Sequence, residues 1–250
     1  EGTIHLSALM CGAHRSAMIR LIHARLLKGL PTRVISTQLV EAGVDIDFPV
    51  VFRALSGLDS IAQAAGRCNR EGKLERGEVY VFVPPKLSSR GLLRKGEDVT
   101  RELSATGFDP HQPDAFTRYF KLFYSRVNDT GSRFNDWLVK DVNPEMKVQF
   151  RTAAQDFRLI DDEAQQSVIV RYQKSPYWIE CLRHAGPTRE IMRNLQRYTV
   201  NLPHQMACRM CDDGRMEEPW PGILAQSELK IYDRCTGLAV YDEQFPVEDL

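Results

Sequence analysis

Alternation constrains this chain most. Over residues 1–85, short β-branched and apolar runs take turns with segments of helical period. Ile4 to Leu9, Arg33 to Ser36, Phe48 to Leu55 and Glu78 to Val83 read as strands, the last closed by Pro84-Pro85. Between them, Ser16 to Lys28 repeats Met18, Leu21, Ile22 and Leu26 at helical spacing, and Gly29 and Pro31 stop it. Leu58 to Cys68 reads as a second helix, with Ile61, Ala64 and Ala65 on one face. Strands and helices in alternation cover both faces of a sheet, which predicts an α/β layer with a mostly parallel sheet.

The pattern changes further on. Residues 86–113 are polar, with Gly, Ser and Pro spread through them, and read as a linker or surface excursion. Asp114 to Val127 predicts a helix whose aromatic stripe, Phe116, Tyr119, Phe120 and Phe123, is a packing face. Beyond residue 146 the elements are shorter and mixed: a helix at Met146 to Phe157, a strand at Ser167 to Tyr172, a helix at Thr188 to Arg197 and a last strand at Leu238 to Tyr241. The expected organisation is a partial lobe over 1–85, a linker and helical connection over 86–145, and a smaller α+β accessory domain over 146–250.

Composition sets limits. At 250 residues, 43% hydrophobic and 26% charged, the chain can bury an ordinary core. Lys plus Arg is 33 and Asp plus Glu is 33, which argues against a dedicated, tight, non-specific DNA-binding module, though local patches can still bind nucleic acid. Six scattered cysteines in a chain this long point to a reduced, cytoplasmic protein without a disulfide framework. No apolar run is long enough to span a bilayer, so no membrane partner is expected. His204, Cys208 and Cys211, with Cys235 as a fourth group, have metal-like spacing; one Cys-x-x-Cys without a matched pair reads as thiols, and no metal site is expected. Glu1-Gly2 runs straight into an apolar stretch, as if the chain begins inside something larger.

Two segments carry chemistry. The first, Ser36-Thr37-Gln38-Leu39-Val40-Glu41-Ala42-Gly43-Val44-Asp45-Ile46-Asp47, is a strand running into a turn. It sets hydroxyls at a strand end, where sheets of this class bind ligands, and then presents a carboxylate after a glycine. As ordinary structure it is a strand-to-helix turn capped by Thr37. The second is Gln63-Ala64-Ala65-Gly66-Arg67-Cys68-Asn69-Arg70-Glu71-Gly72. Arg67 and Arg70 are three apart, which on a helix end sends both guanidinium groups to one side as a fork for phosphate oxygens. Gly66 leaves room for close approach. As ordinary surface residues the two arginines would pair with Glu71 or Glu75.

Order and spacing of the two segments resemble motifs V and VI of superfamily 2 helicases, in the form Gln-x-x-Gly-Arg-x-x-Arg. Leu6 to Met10 followed by His14-Arg15 is similar to motif IV. The wording "LSALMCGAHR", "STQLVEAGVDIDFPVVFR" and "DSIAQAAGRCNREG" resembles the CRISPR-associated helicase-nuclease of type I interference systems. Phe150 to Asp161 is similar to that family's accessory C-terminal domain.

The resemblance implies a second RecA-like lobe from a translocase that moves on single-stranded DNA and works with an upstream nuclease domain and an RNA-guided surveillance complex. It assigns Arg70 as the arginine finger on the γ-phosphate of ATP, with Arg67 on the same phosphate. Gln63 and Gly66 join that nucleotide set, as do Gly43 and Asp45, the last near the ribose. Ser7, His14, Thr37 and Gln38 would face the nucleic-acid backbone. ATP with Mg²⁺ would be held mainly by a first lobe, because residues 1–250 contain no Gly-x-x-x-x-Gly-Lys-Ser/Thr. Gly66 to Lys73 imitates that motif with the wrong spacing and with Leu74 in place of Ser or Thr. Residues 1–250 alone are therefore expected neither to hydrolyse ATP nor to cut DNA. Two other readings stand beside this one: a superfamily 2 helicase acting on RNA or in repair, and a non-catalytic module that docks on the surveillance complex or holds single-stranded DNA.

Overall fold

A computed structural model describes residues 3–40, 43–85, 91–107, 109–110, 112, 114–127, 136–140, 148–156, 165–227 and 229–240. In chain order the regular elements are β1 Thr3–Leu6, α1 Gly12–Leu27, β2 Arg33–Ser36, β3 Val50–Ala54, α2 Leu58–Ala65, β4 Glu78–Phe82, α3 Gly91–Ala105, α4 Ala115–Arg126, α5 Phe150–Asp156, β5 Gln165–Ile169, α6 Ser175–Ala185, α7 Arg189–Leu195, β6 Thr199–Pro203, α8 His204–Asp212, β7 Met216–Trp220, β8 Ile223–Gln226, β9 Tyr232–Asp233 and β10 Gly237–Leu238. The expected helix start at Met146, its end at Phe157 and the last strand's end at Tyr241 lie outside the described residues. Packing divides the chain into two compact units, one of Glu1–Phe48 with Asp162–Leu250 and one of Pro49–Asp161. These units group residues by contact, whereas the boundaries at 85 and 145 rest on composition and motifs.

In the first unit β1 and β2 form a parallel pair in which Leu6 faces Ser36. Ile4, Leu6, Met10, Ile22, Val44 and Ile46 make the cluster that covers it. A four-stranded sheet of order β6-β5-β8-β7 forms the rest of the unit, with β5 antiparallel to β6 and parallel to β8. Val168, Val200, Leu202 and Ala225 bury with Ile179 and Leu182 of α6 and Met206, Ala207 and Met210 of α8. Leu9 and Cys11, from the turn before α1, and Ala13, from its first turn, belong to that same cluster. Local chemistry fixes the ends: Thr188 caps α7 by accepting the Ile191 N–H at 3.3 Å. Pro221-Gly222 turns β7 into β8, with Gly222 at φ 78° as a type II turn demands. Pro219 sits in β7 where the register shifts, which an edge strand tolerates.

In the second unit β3 and β4 pair in parallel, and the intervening chain carries α2. Residues 91–105, expected as linker, form α3: Gly96, Val99, Thr100 and Leu103 recur at helical spacing and are buried. A narrow apolar stripe in a polar background hides that period. Tyr119 is buried with Leu58, Val99 and Leu103, and Phe120 and Phe123 pack on them, so these three make the packing face, while Phe116, expected to join them, is exposed. The Tyr119 hydroxyl donates to Asp59 Oδ1 at 2.9 Å, tying α4 to α2. Both parallel pairs follow the α/β expectation.

Candidate nucleotide and nucleic-acid interface

The C-terminal ends of β1 and β2 lie side by side, because Leu6 pairs with Ser36 and the Thr37 N–H donates to the Leu6 carbonyl at 3.1 Å. Ser7 and Thr37 are thus neighbours at the sheet end where ligands bind in such folds. They differ in access. Thr37 and Gln38 are exposed, and Gln38 opens a short 3₁₀ turn, Gln38–Val40. Ser7 is 3% exposed, and its Oγ accepts the Leu9 N–H at 3.0 Å to close the turn into α1. Gly43 takes a left-handed φ of 73°, a conformation that glycine adopts freely. The chain beyond it alternates: Val44 and Ile46 bury beneath β1 and β2, and Asp45 between them is exposed.

His14 lies in α1 and is 1% exposed. Its ring stacks on Tyr172 at 4.7 Å, and Nδ1 shares a 3.0 Å hydrogen bond with the Tyr232 hydroxyl. That hydroxyl also accepts the Cys11 N–H at 3.0 Å. Burial pulls the His14 pKa below its ordinary value and pushes the Tyr232 pKa up. Ser7 and His14 therefore hold the packing of their unit. The backbone contact expected of them is corrected, since neither side chain reaches solvent. Tyr172 and Tyr232 were invisible to sequence reasoning, because a lone tyrosine far along the chain carries no periodic or spacing signal.

In the second unit, Gln63 is exposed on the last turn of α2. The helix stops at Ala65, earlier than the expected Cys68. Gly66, Arg67 and Cys68 donate their N–H groups to Ala62, Ala64 and Ala65, so the helix tightens and ends. Arg67 and Arg70 thus leave from a turn and not from a helix face, so the helical spacing expected to send both to one side does not apply. Arg67 is half-buried and Arg70 is exposed. Both lie at the C-terminal end of α2, where the helix dipole favours positive charge. The imitation of a P-loop dissolves: Lys73 pairs with Glu71 in the same turn.

Among the described residues no group of three His, Cys, Asp or Glu side chains could hold a metal ion. Cys208 Sγ lies 3.6 Å from His204 Nε2 on α8, and burial raises the pKa of Cys211. Among them, too, no helix is long and apolar enough to cross a membrane.

The C-terminal family model of the CRISPR-associated nuclease/helicase Cas3 matches residues 3–73, a stretch that contains every candidate site residue. A CRISPR-associated nuclease/helicase Cas3 from Haloferax volcanii is 53% identical over 56 residues, 22% of this chain and 6% of that protein. The crystal structure of T. fusca Cas3-ATP has a similar fold at TM-score 0.53 and 15% identity, over 90% of this chain and 32% of its own. A chain of a CRISPR RNA-guided surveillance complex in its pre-nicking state gives TM-score 0.51 and 15% identity, over 90% of this chain and 34% of its own. At such identities these two structures speak for the fold alone. This chain spans about a third of the length of those solved relatives. Residues 3–73 are thus similar to the C-terminal region of the CRISPR-associated nuclease/helicase Cas3, and the fold of the chain resembles that of the T. fusca Cas3 structure.

Proposed function

We propose that residues 1–250 are the C-terminal part of an ATP-driven single-stranded DNA translocase that unwinds foreign DNA for degradation in CRISPR interference. The observation that carries this reading is the turn after α2. It holds two arginines, one exposed and one half-buried, inside the segment that matches the Cas3 family. The donor set suits a nucleotide: guanidinium groups bind phosphate oxygens in pairs and stay charged. No P-loop lysine or Mg²⁺-binding acidic motif accompanies them in the sequence, so the triphosphate and Mg²⁺ belong mainly to another lobe.

ATP supplies the γ-phosphoryl group whose transfer to water drives translocation. Arg70 donates hydrogen bonds to the γ-phosphate oxygens as charge builds there, and Arg67 contacts the same phosphate. Gln63 and Gly66 line the approach. Asp45, presented by the turn at Gly43, accepts from the ribose. Thr37 and Gln38, exposed at the strand end, donate to the phosphate backbone of the bound strand. Relatives described as part of a surveillance complex support an RNA-guided complex as the partner that delivers the DNA.

The test compares two proteins. The full-length protein should hydrolyse ATP faster when single-stranded DNA is added, and residues 1–250 alone should show no turnover. ATP turnover by residues 1–250, or a full-length rate indifferent to DNA, contradicts the reading.

A further inference from the structure

Resting on Arg70 as the finger, we infer that Asn69 is the residue that positions it. Asn69 precedes Arg70 and closes the loop on both sides. Its Nδ2 donates to the Leu74 carbonyl at 2.8 Å, and its Oδ1 accepts the Leu74 N–H at 2.9 Å. One carboxamide thus makes the paired contact that a neighbouring strand would make, across the residues Arg70 to Lys73. The Asn69 carbonyl also accepts the Gly72 N–H at 3.0 Å, which folds the same residues into a turn.

The backbone explains why this residue is asparagine. Asn69 has φ 47°, the left-handed region that asparagine enters far more readily than most residues with a side chain. Aspartate would keep the acceptor and lose the donor. Glycine would keep the conformation and lose both bonds.

The loop is also fixed at its base. Cys68 Sγ lies 3.4 Å from the Pro49 carbonyl and 3.3 Å from the Glu78 carbonyl, at the starts of β3 and β4. Gly77 lets the returning chain close on it, since a Cβ there would stand 2.7 Å from Cys68 Sγ and 2.9 Å from Asn69 Cβ. Arg70 therefore follows a backbone that is held below by a thiol and beside by an amide. A finger pays off only when its guanidinium waits where charge develops, and a displacement of about 1 Å is enough to cost on the order of 10²-fold in rate.

The experiment uses the full-length protein and steady-state ATP turnover with single-stranded DNA present. Asn69→Gly should lower kcat by about 10²-fold and leave the KM for ATP within about twofold, the split expected of an interaction made only in the transition state. Asn69→Asp, with one of the two bonds kept, should fall between. In an Arg70→Ala background, Asn69→Gly should cause no further loss, because a residue acting only through Arg70 has nothing left to act on. A near-normal kcat in both Asn69 variants overturns the inference, as does equal damage to kcat and to nucleotide binding in Asn69→Asp. The finger reading fails separately, by near-normal turnover in Arg70→Ala alone.

Discussion

The four-stranded sheet and the β3–β4 pair are made of similar residues and meet opposite fates. In the sheet, Val168, Val200 and Leu202 lie under α6 and α8 and are buried. In the pair, Val50, Phe52, Tyr80, Val81 and Phe82 are exposed, Phe52 by 69%, and Phe52 stacks on Tyr80 as its register partner. Strand composition is therefore a poor guide to burial; the helices that cover a face decide it. The difference also separates duties. Cohesion gathers where two helices cover a sheet, and the arginine turn hangs from a lightly covered pair. Places of low packing density are where a protein can present side chains to a ligand.

Truncation sharpens the contrast most. Leu202→Ala removes a fully buried side chain and should destabilise the first unit by about 2–5 kcal/mol, read from the midpoint of denaturant unfolding. Phe52→Ala, at an exposed site of the second unit, should cost that unit no more than about 1 kcal/mol, the worth of its cross-strand stacking on Tyr80. Equal losses would show that the β3–β4 pair is as much a core as the sheet.

A smaller effect tests the joint between the start of α1 and the accessory region. Burial lowers the His14 pKa from its ordinary 6.5. The unfolded chain then takes up the proton first, so this contribution is complete above pH 6.5 and is lost as the pH falls below it, toward the lowered value. The melting temperature should therefore drop on acidification below 6.5, and the drop should be shallower in His14→Gln. An identical slope in both proteins would mean that other groups govern the acid response.

Residues 3–82 were legible for a physical reason. Parallel strands separated by helices write two periods into the sequence, and the limits of β2, β4 and α1 emerge within a few residues of those read. The chemistry there was legible because Gln63, Gly66, Arg67 and Arg70 are close in sequence. Other features were not. Helix α3 hides a buried stripe among charged residues, and α6, β6, α8, β7 and β8 also went unread. Ser7 and His14 illustrate a deeper limit. Their polarity pointed outward, yet Leu9 N–H and the Tyr232 hydroxyl satisfy them inside. For Ser7 the partner is two residues away, but for His14 it lies 218 positions along the chain, beyond the reach of any local pattern. Asn69 lay between two arginines, and only its bonds to Leu74 reveal its part.

The proposed role of Arg70, completing a nucleotide site held mostly elsewhere, can be read from ATP turnover and ATP binding by the full-length protein, measured side by side for the native chain and Arg70→Ala. Arg70→Ala should lose about 10³-fold or more in turnover with ATP affinity little changed, as for an arginine finger. Near-normal turnover in Arg70→Ala, or a loss explained wholly by weaker ATP binding, would contradict it.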